Sequence, residues 1–268
     1  MRILSCGITD VGLKRGHNED NYLINEELNL FVVADGMGGH AGGEFASAIC
    51  VNTVEEVVTA LETGGPAAVI EGPIIAGRVS NPDPVTPTDD PIELSREKLR
   101  YAIQLAGRRI YAKAQEMQEY HGMGTTAVAL LIENGNAIIA HVGDSRLYTV
   151  RGNKPEQLTD DHSLVFQKVK EGLITAEQAK THRMRNVITR SLGYQEDVEV
   201  DVQVRALRRG DRFLLCSDGL SGHVELIEIG DVLDKSSPQD AARRLIELAC
   251  ERGGEDNITV VIARVEET

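Results

Sequence analysis

The sequence predicts an α+β fold in which antiparallel sheet dominates. Three observations carry that expectation. Two hairpin signals lie at residues 22–34 and 125–142, helix-period apolar patterns cover 43–61, 90–117 and 237–252, and short strand-like runs stand at 3–11, 147–150, 198–204, 211–216 and 258–265.

The first strand, 3–11, leads into a hairpin of Tyr22–Asn25 and Leu30–Ala34, with Glu26-Glu27-Leu28-Asn29 as its polar loop. Counting outward from that loop, Asp20 and Asp35 fall opposite each other just beyond the open end of the pair, where neighbouring strands are about 5 Å apart. Two carboxylates that close repel unless a cation sits between them. Gly36, Gly38 and Gly39 follow and permit tight turns and close backbone approach.

Phe45, Ile49, Val54, Val57, Val58 and Leu61 recur at near-helical spacing and predict an amphipathic helix over 43–61. Residues 62–90 are rich in Gly and Pro and read as a surface insertion. The next helix has a legible start, with Asp90 as N-cap, Pro91 at the first position and Glu93 as the capping-box acid. Its apolar face is Leu99, Ile103, Ala106, Ile110 and Met117.

Asn134-Gly135 joins the runs 125–133 and 137–142 into a second hairpin. It ends in Gly143-Asp144-Ser145-Arg146, ahead of a strand at 147–150. Residues 159–190 are polar and mostly helical in propensity, with Thr175 as an N-cap, and read as a flap beside the sheet. Ser237-Pro238 opens a helix through Arg252 that Gly253-Gly254 stops. Antiparallel pairing of 211–216 with 258–265 would make Asp218 and Asp256 neighbours.

At 268 residues the chain reads as one domain with a sizeable core, since no second linker-bounded core is visible. A formal net charge of −14 disfavours binding to a nucleic-acid backbone. No apolar run approaches the ~18 residues of a membrane span, and the N-terminus shows no secretory signal, so the expected location is the cytoplasm. Cys6, Cys50, Cys216 and Cys250 are widely spaced in apolar segments and read as buried, reduced thiols. The seven His residues show no zinc spacing, so any metal should be a hard cation held by oxygen.

Asp20, Asp35, Asp144, Asp218 and Asp256 thus all stand at predicted sheet ends. Gathering them without cations is costly, because like charges raise each other's pKa. Two divalent ions about 3.5–4 Å apart resolve the repulsion and make a hydroxide nucleophile at neutral pH. That is phosphoester chemistry, and Arg15, five residues before Asp20, offers a planar fork matched to phosphate oxygens.

The motifs R-x-x-x-E-D at 15–20, DGMGGH at 35–40, GMGTT at 122–126, GDSR at 143–146, SDGL at 217–220 and EDNITVV at 255–261 together resemble the metal-dependent protein phosphatase family, the PP2C or PPM type, and within it the bacterial branch that opposes Ser/Thr kinases. The resemblance implies a four-layer α/β/β/α sandwich, two central antiparallel sheets flanked by helices, with two or three Mn²⁺ or Mg²⁺ ions at one end. It implies that Asp35 bridges two ions, that the Gly36 carbonyl binds one, and that Asp218 and Asp256 hold the other. Asp20 would act through metal-bound water, Asp144 with Asp218 would form a weaker third site, and Arg15 would clamp the phosphate.

The implied reaction is direct attack by a metal-bridging water or hydroxide on phosphoserine or phosphothreonine, with phosphoproteins, a cognate kinase and its substrates as partners of a monomeric enzyme. Met37 departs from the family pattern: many eukaryotic members have a His there, and a thioether cannot donate a proton. His40 is an auxiliary candidate for a minor role, and His162, in the flap, for substrate choice. A catalytically silent phosphoprotein-binding module and a Mg²⁺-dependent phosphodiesterase or nuclease are the alternatives. Retention of all the acids disfavours the first, and the acidic balance the second.

Overall fold

The structure is a computed structural model that describes residues 2–38, 41–63, 74–75, 78–79, 89–152 and 154–266. Its first half runs Arg2–Asp10 (β1), Asp20–Asn25 (β2), Leu30–Met37 (β3), Ala41–Glu62 (α1), Ile74–Ile75 (β4), Arg78–Val79 (β5), Pro91–Glu116 (α2), Gly124–Thr125 (β6), Ala127–Glu133 (β7) and Asn136–Val142 (β8). Then come Arg146–Arg151 (β9), Lys154–Gln157 (β10), Leu164–Lys170 (α3), Ala176–Lys180 (α4), Asp201–Ala206 (β11), Arg212–Cys216 (β12), Asp218–Ser221 (α5), Leu226–Lys235 (α6), Pro238–Glu251 (α7) and Ile258–Glu266 (β13).

Two antiparallel sheets form the centre, one ordered β1-β13-β12-β9-β10 and the other β11-β8-β7-β3-β2. The period-2 geometry of a strand sends alternate residues to opposite faces. Leu30, Val32 and Ala34 of β3 pack toward α1 and α2, while Phe31 and Val33 face the other sheet. On β12, Leu214 and Cys216 pack with α6 and α7, and Phe213 and Leu215 meet the opposing sheet. The result is the expected four-layer sandwich. Both faces of each central strand are covered, which is why these strands read as continuous apolar runs instead of alternating ones.

Local chemistry sets the boundaries. Asn134 (φ 50°) and Gly135 (φ 72°) take the two left-handed positions of the β7–β8 turn, the geometry that matches strand twist. Asp90 caps α2 by accepting the Ile92 N–H at 2.9 Å, and Thr175 with Gln178 makes a full capping box on α4. Glu93 pairs with Arg96 at 2.7 Å.

Several expectations need correction. Asp20 and Asp35 lie inside the ladder, as register partners, and not beyond it. The run 125–133 breaks at Thr126, because β6 leaves β7 to pair with the end of β3. The second helix stops at Glu116, and Met117 is extended (φ −124°, ψ 113°). The strand expected at 198–204 lies at 201–206. Two short helices of seven and five residues are all the helix the flap contains. Strand β10 and helices α5 and α6 went unforeseen. In α6, Gly230 and the β-branched Ile227, Ile229 and Val232 weaken the helical signal; a Cβ on Gly230 would lie 2.8 Å from Pro155 of β10, so the close approach requires the glycine. Of the insertion, residues 64–73, 76–77 and 80–88 lie outside the described residues.

Candidate metal centre

The β2–β3 ladder runs from Asn25↔Leu30 to Asp20↔Asp35, so the two carboxylates sit directly across from each other. Asp144 lies in the turn where the chain crosses from β8 in one sheet to β9 in the other. Pairing of Cys216 with Val260 brings the end of β12 to the start of β13, and Asp218 and Asp256 lie just outside those strand ends.

The electrostatics register the gathering of all five acids. Burial raises the Asp35 carboxyl well above its usual range, and Asp20, Asp218, Asp144 and Asp256 raise it further. Burial lifts Asp20 and Asp144 to about 7 each. Burial, then the charge of Asp256, lifts Asp218, while a hydrogen bond shared with Asp35 pulls it back. At neutral pH such a cluster favours protons or cations.

The cluster fits divalent cations. Asp20 is 5% exposed, and its Oδ2 accepts two hydroxyls, from Ser217 at 2.8 Å and Thr259 at 2.6 Å. Its Oδ1 is buried with no hydrogen-bond partner. An orphaned carboxylate oxygen among further carboxylates is what a hard, oxygen-seeking ion resolves. Gly36 follows Asp35 where a Cβ would collide with the carbonyl oxygens of Gly43 and Glu19. Its backbone can therefore reach the cluster only as glycine.

Arg15 Nη2 donates to Asp256 Oδ2 at 2.7 Å, and that bond foremost strengthens its hold on its proton. The Arg15 side chain is 54% exposed, which leaves much of its fork open to a ligand. His40 lies outside the described residues. His162 does not join the carboxylates: its ring bonds to the backbone behind the Asp144 turn. From Asp144 and Asp218 a cavity of about 480 Å³ extends under the flap, past Phe166, Ala179, Lys180 and Arg185.

Sequence reasoning missed the residues that hold the acids in place. Thr259, donating to Asp20, must accept its own bond from Thr9 at 2.7 Å, and Thr9 accepts from Asn18 at 2.8 Å. Asn257, 6% exposed, donates to the carbonyls of Val11 (3.0 Å) and His17 (2.9 Å) and accepts the Glu19 N–H at 2.8 Å. Thr126 Oγ1 accepts the Asp35 N–H at 3.0 Å, and Thr125 Oγ1 donates to the Asp35 carbonyl at 2.8 Å. All these residues except Thr9 and Val11 stand in the six motifs, so the signal was present but was read only for its acids.

A protein phosphatase 2C family model matches residues 14–259. Protein phosphatase PhpP of Streptococcus pneumoniae is 34% identical over 266 residues, covering 97% of this chain and 96% of that protein. Serine/threonine phosphatase stp of Listeria monocytogenes is 36% identical over 261 residues, covering 95% and 92%. Among solved structures, the Mycobacterium tuberculosis serine/threonine phosphatase PstP/Ppp superposes with a TM-score of 0.83 at 34% identity, covering 100% of both chains. The PstP catalytic domain in complex with two manganese ions gives 0.80 at 34%, covering 99% of both.

Proposed function

This chain belongs to the protein phosphatase 2C family, and from that premise we infer that it is a metal-dependent protein phosphatase acting on phosphoserine and phosphothreonine. The observation that carries the reading is the meeting of five carboxylates at one end of the sandwich, with Asp20 Oδ1 unpartnered.

Two or three Mn²⁺ or Mg²⁺ ions fit the site. When bound, such ions acidify a water enough for it to attack at neutral pH and offset the charge of the phosphate. Asp35 would serve two ions, the Gly36 carbonyl one of them, and Asp218 and Asp256 the other. Asp144 with Asp218 would hold a third. Asp20, fixed by Ser217 and Thr259, presents its Oδ1 as an acceptor. Arg15 grips the phosphate oxygens and orients the phosphorus for direct displacement, with no enzyme side chain phosphorylated. Met37 supplies no proton to the leaving oxygen.

One domain carries this chemistry. The flap, residues 159–190, guides phosphoprotein choice, a role supported by the cavity beneath it. The enzyme works as a monomer in the cytoplasm and reverses a Ser/Thr kinase. Four free cysteines, and the absence among the described residues of a helix able to cross a membrane, support that setting.

The test is phosphate release from a phosphothreonine peptide with and without Mn²⁺, with Asp218→Asn as control. Turnover should require the metal and vanish in the variant. A folded, Mn²⁺-supplied protein that releases no phosphate would instead be a phosphoprotein-binding module.

A further inference from the structure

Behind the Asp144 turn, His141, His162 and Asp201 each present a possible ligand atom within 4.8 Å of the others. The spacing suits a transition metal, but the hydrogen bonds do not. His162 Nδ1 accepts the Gly143 N–H at 3.0 Å, so the neutral ring carries its proton on Nε2. That is the atom 3.5 Å from Asp201 Oδ2, and a protonated nitrogen has no lone pair for an ion. Arg190 Nη1 already donates to Asp201 Oδ1 at 2.6 Å, bringing the positive charge an ion would bring. Burial, with His141 and Arg190 as neighbours, pushes His162 down to about 4, so the ring is neutral at physiological pH.

We propose that His162 is a positioning residue for the Asp144 turn, the contact through which the base of the flap holds that carboxylate in the metal centre. The proposal rests on the phosphatase reading given above. His162 grips Gly143 at two points: its ring accepts the Gly143 N–H, and its own N–H donates to the Gly143 carbonyl at 2.9 Å. Gly143 sits at φ +106°, and a Cβ there would lie 2.6 Å from Thr126 Cγ2. The turn is therefore clasped between His162 and the threonine that accepts the Asp35 N–H. Thr126 Oγ1 also bonds Ser145 Oγ at 2.7 Å, on the far side of Asp144.

Both ends of the flap converge on the same residue. The His162 carbonyl accepts the Thr189 N–H at 2.7 Å, the protonated Nε2 of its ring faces Asp201 Oδ2 of β11 at 3.5 Å, and Arg190 Nη1 beside the ring gives its two N–H groups to Asp201 Oδ1 and the Glu199 carbonyl. A displacement of the flap base is thereby passed to the backbone one residue before Asp144.

Substitutions separate the two ring nitrogens. His162→Asn keeps an acceptor at the δ position, His162→Gln keeps a polar atom only at the ε position, and His162→Ala keeps neither. Mn²⁺ binding is measured by calorimetry and by electron paramagnetic resonance of free Mn²⁺, on protein shown folded by circular dichroism. The Ala and Gln variants should bind the weakest Mn²⁺ about 10–100-fold less tightly, the range for losing a contact that orients a ligand, with the tighter ions unchanged. The Asn variant should stay within about threefold of wild type. In an Asp144→Asn background the three variants should not differ from one another.

Wild-type affinities in the Ala and Gln variants would overturn the proposal, as would an Asn variant no better than Ala, or a His162 ring whose ¹⁵N shifts report the Nδ1–H tautomer. An enzyme that turns over but holds no ion sensitive to Asp144→Asn would overturn it as well. Absence of Mn²⁺-dependent turnover in the wild type would instead remove the phosphatase reading itself.

Discussion

Ser217 Oγ donates to Asp20 Oδ2 at 2.8 Å, joining the end of β12 in one sheet to β2 in the other. With Thr259 it saturates one oxygen of Asp20 and leaves the other free. Ser217→Ala should therefore weaken metal binding about tenfold without abolishing it, as losses of ligand-orienting contacts do. The check is the Mn²⁺ concentration for half-maximal turnover, with the rate at saturating metal largely restored. A change in that rate alone would contradict the orienting role.

Metal removal should expose the self-repulsion of the acids. Asp20 and Asp144 stand at about 7 in the fold, against ~3.9 in an unfolded chain, so between those values the folded protein holds protons that the unfolded chain has lost. Their contribution to stability is complete below about pH 4 and is lost as the pH rises through 7. With a chelator present, Tm should fall by about 5–10 °C between pH 5 and pH 8 for a loss of a few kcal/mol. Added Mn²⁺ should suppress most of that fall. A melting profile that rises with pH in the chelator would refute this account.

Arg15→Ala should raise KM for a phosphopeptide at least tenfold, since a charge-assisted bidentate contact contributes about 1.5–3 kcal/mol. Stability should change by less than about 1 kcal/mol, because the Arg15–Asp256 pair is half-exposed. Steady-state kinetics and thermal melts read the two effects separately.

Asn257→Ala should destabilise the protein by about 1–3 kcal/mol, because it takes the buried Asn257 amide away from three backbone partners, the Val11 and His17 carbonyls and the Glu19 N–H. Urea denaturation measures the loss. A change under about 0.5 kcal/mol would mean that water replaces the amide at little cost.

Arg183, exposed on the flap, should matter to large substrates and little to small ones. Arg183→Ala is expected to change turnover of a phosphoprotein more than that of an aryl phosphate. Equal effects would count against the flap as a guide to substrate.

Much of this was legible in the sequence, for identifiable reasons. The Asp20–Asp35 pairing follows from counting outward from a polar loop, and the β7–β8 turn from Asn-Gly. The starts of α2 and α4 follow from their N-caps. Helix α6 was hidden by Gly230, whose reason is a neighbour that the sequence does not reveal. The break at Thr126 was hidden because Thr suits a strand, while its hydroxyl is needed at Asp35. The role of Asn257 was invisible for the same cause: its partners at Val11, His17 and Glu19 lie more than 200 positions away.

The pairing of β1 with β13, from Arg2↔Glu266 to Asp10↔Ile258, carries a consequence for biosynthesis. Among the described strands β1 is translated before all the others and β13 after them, so on the ribosome the edge of β1 stays open until the residues of β13 are made. Arg15 must likewise wait for Asp256, and Thr9 for Thr259. A nascent chain ending short of residue 256 lacks part of the carboxylate set, so the metal centre can assemble only after that residue has been made.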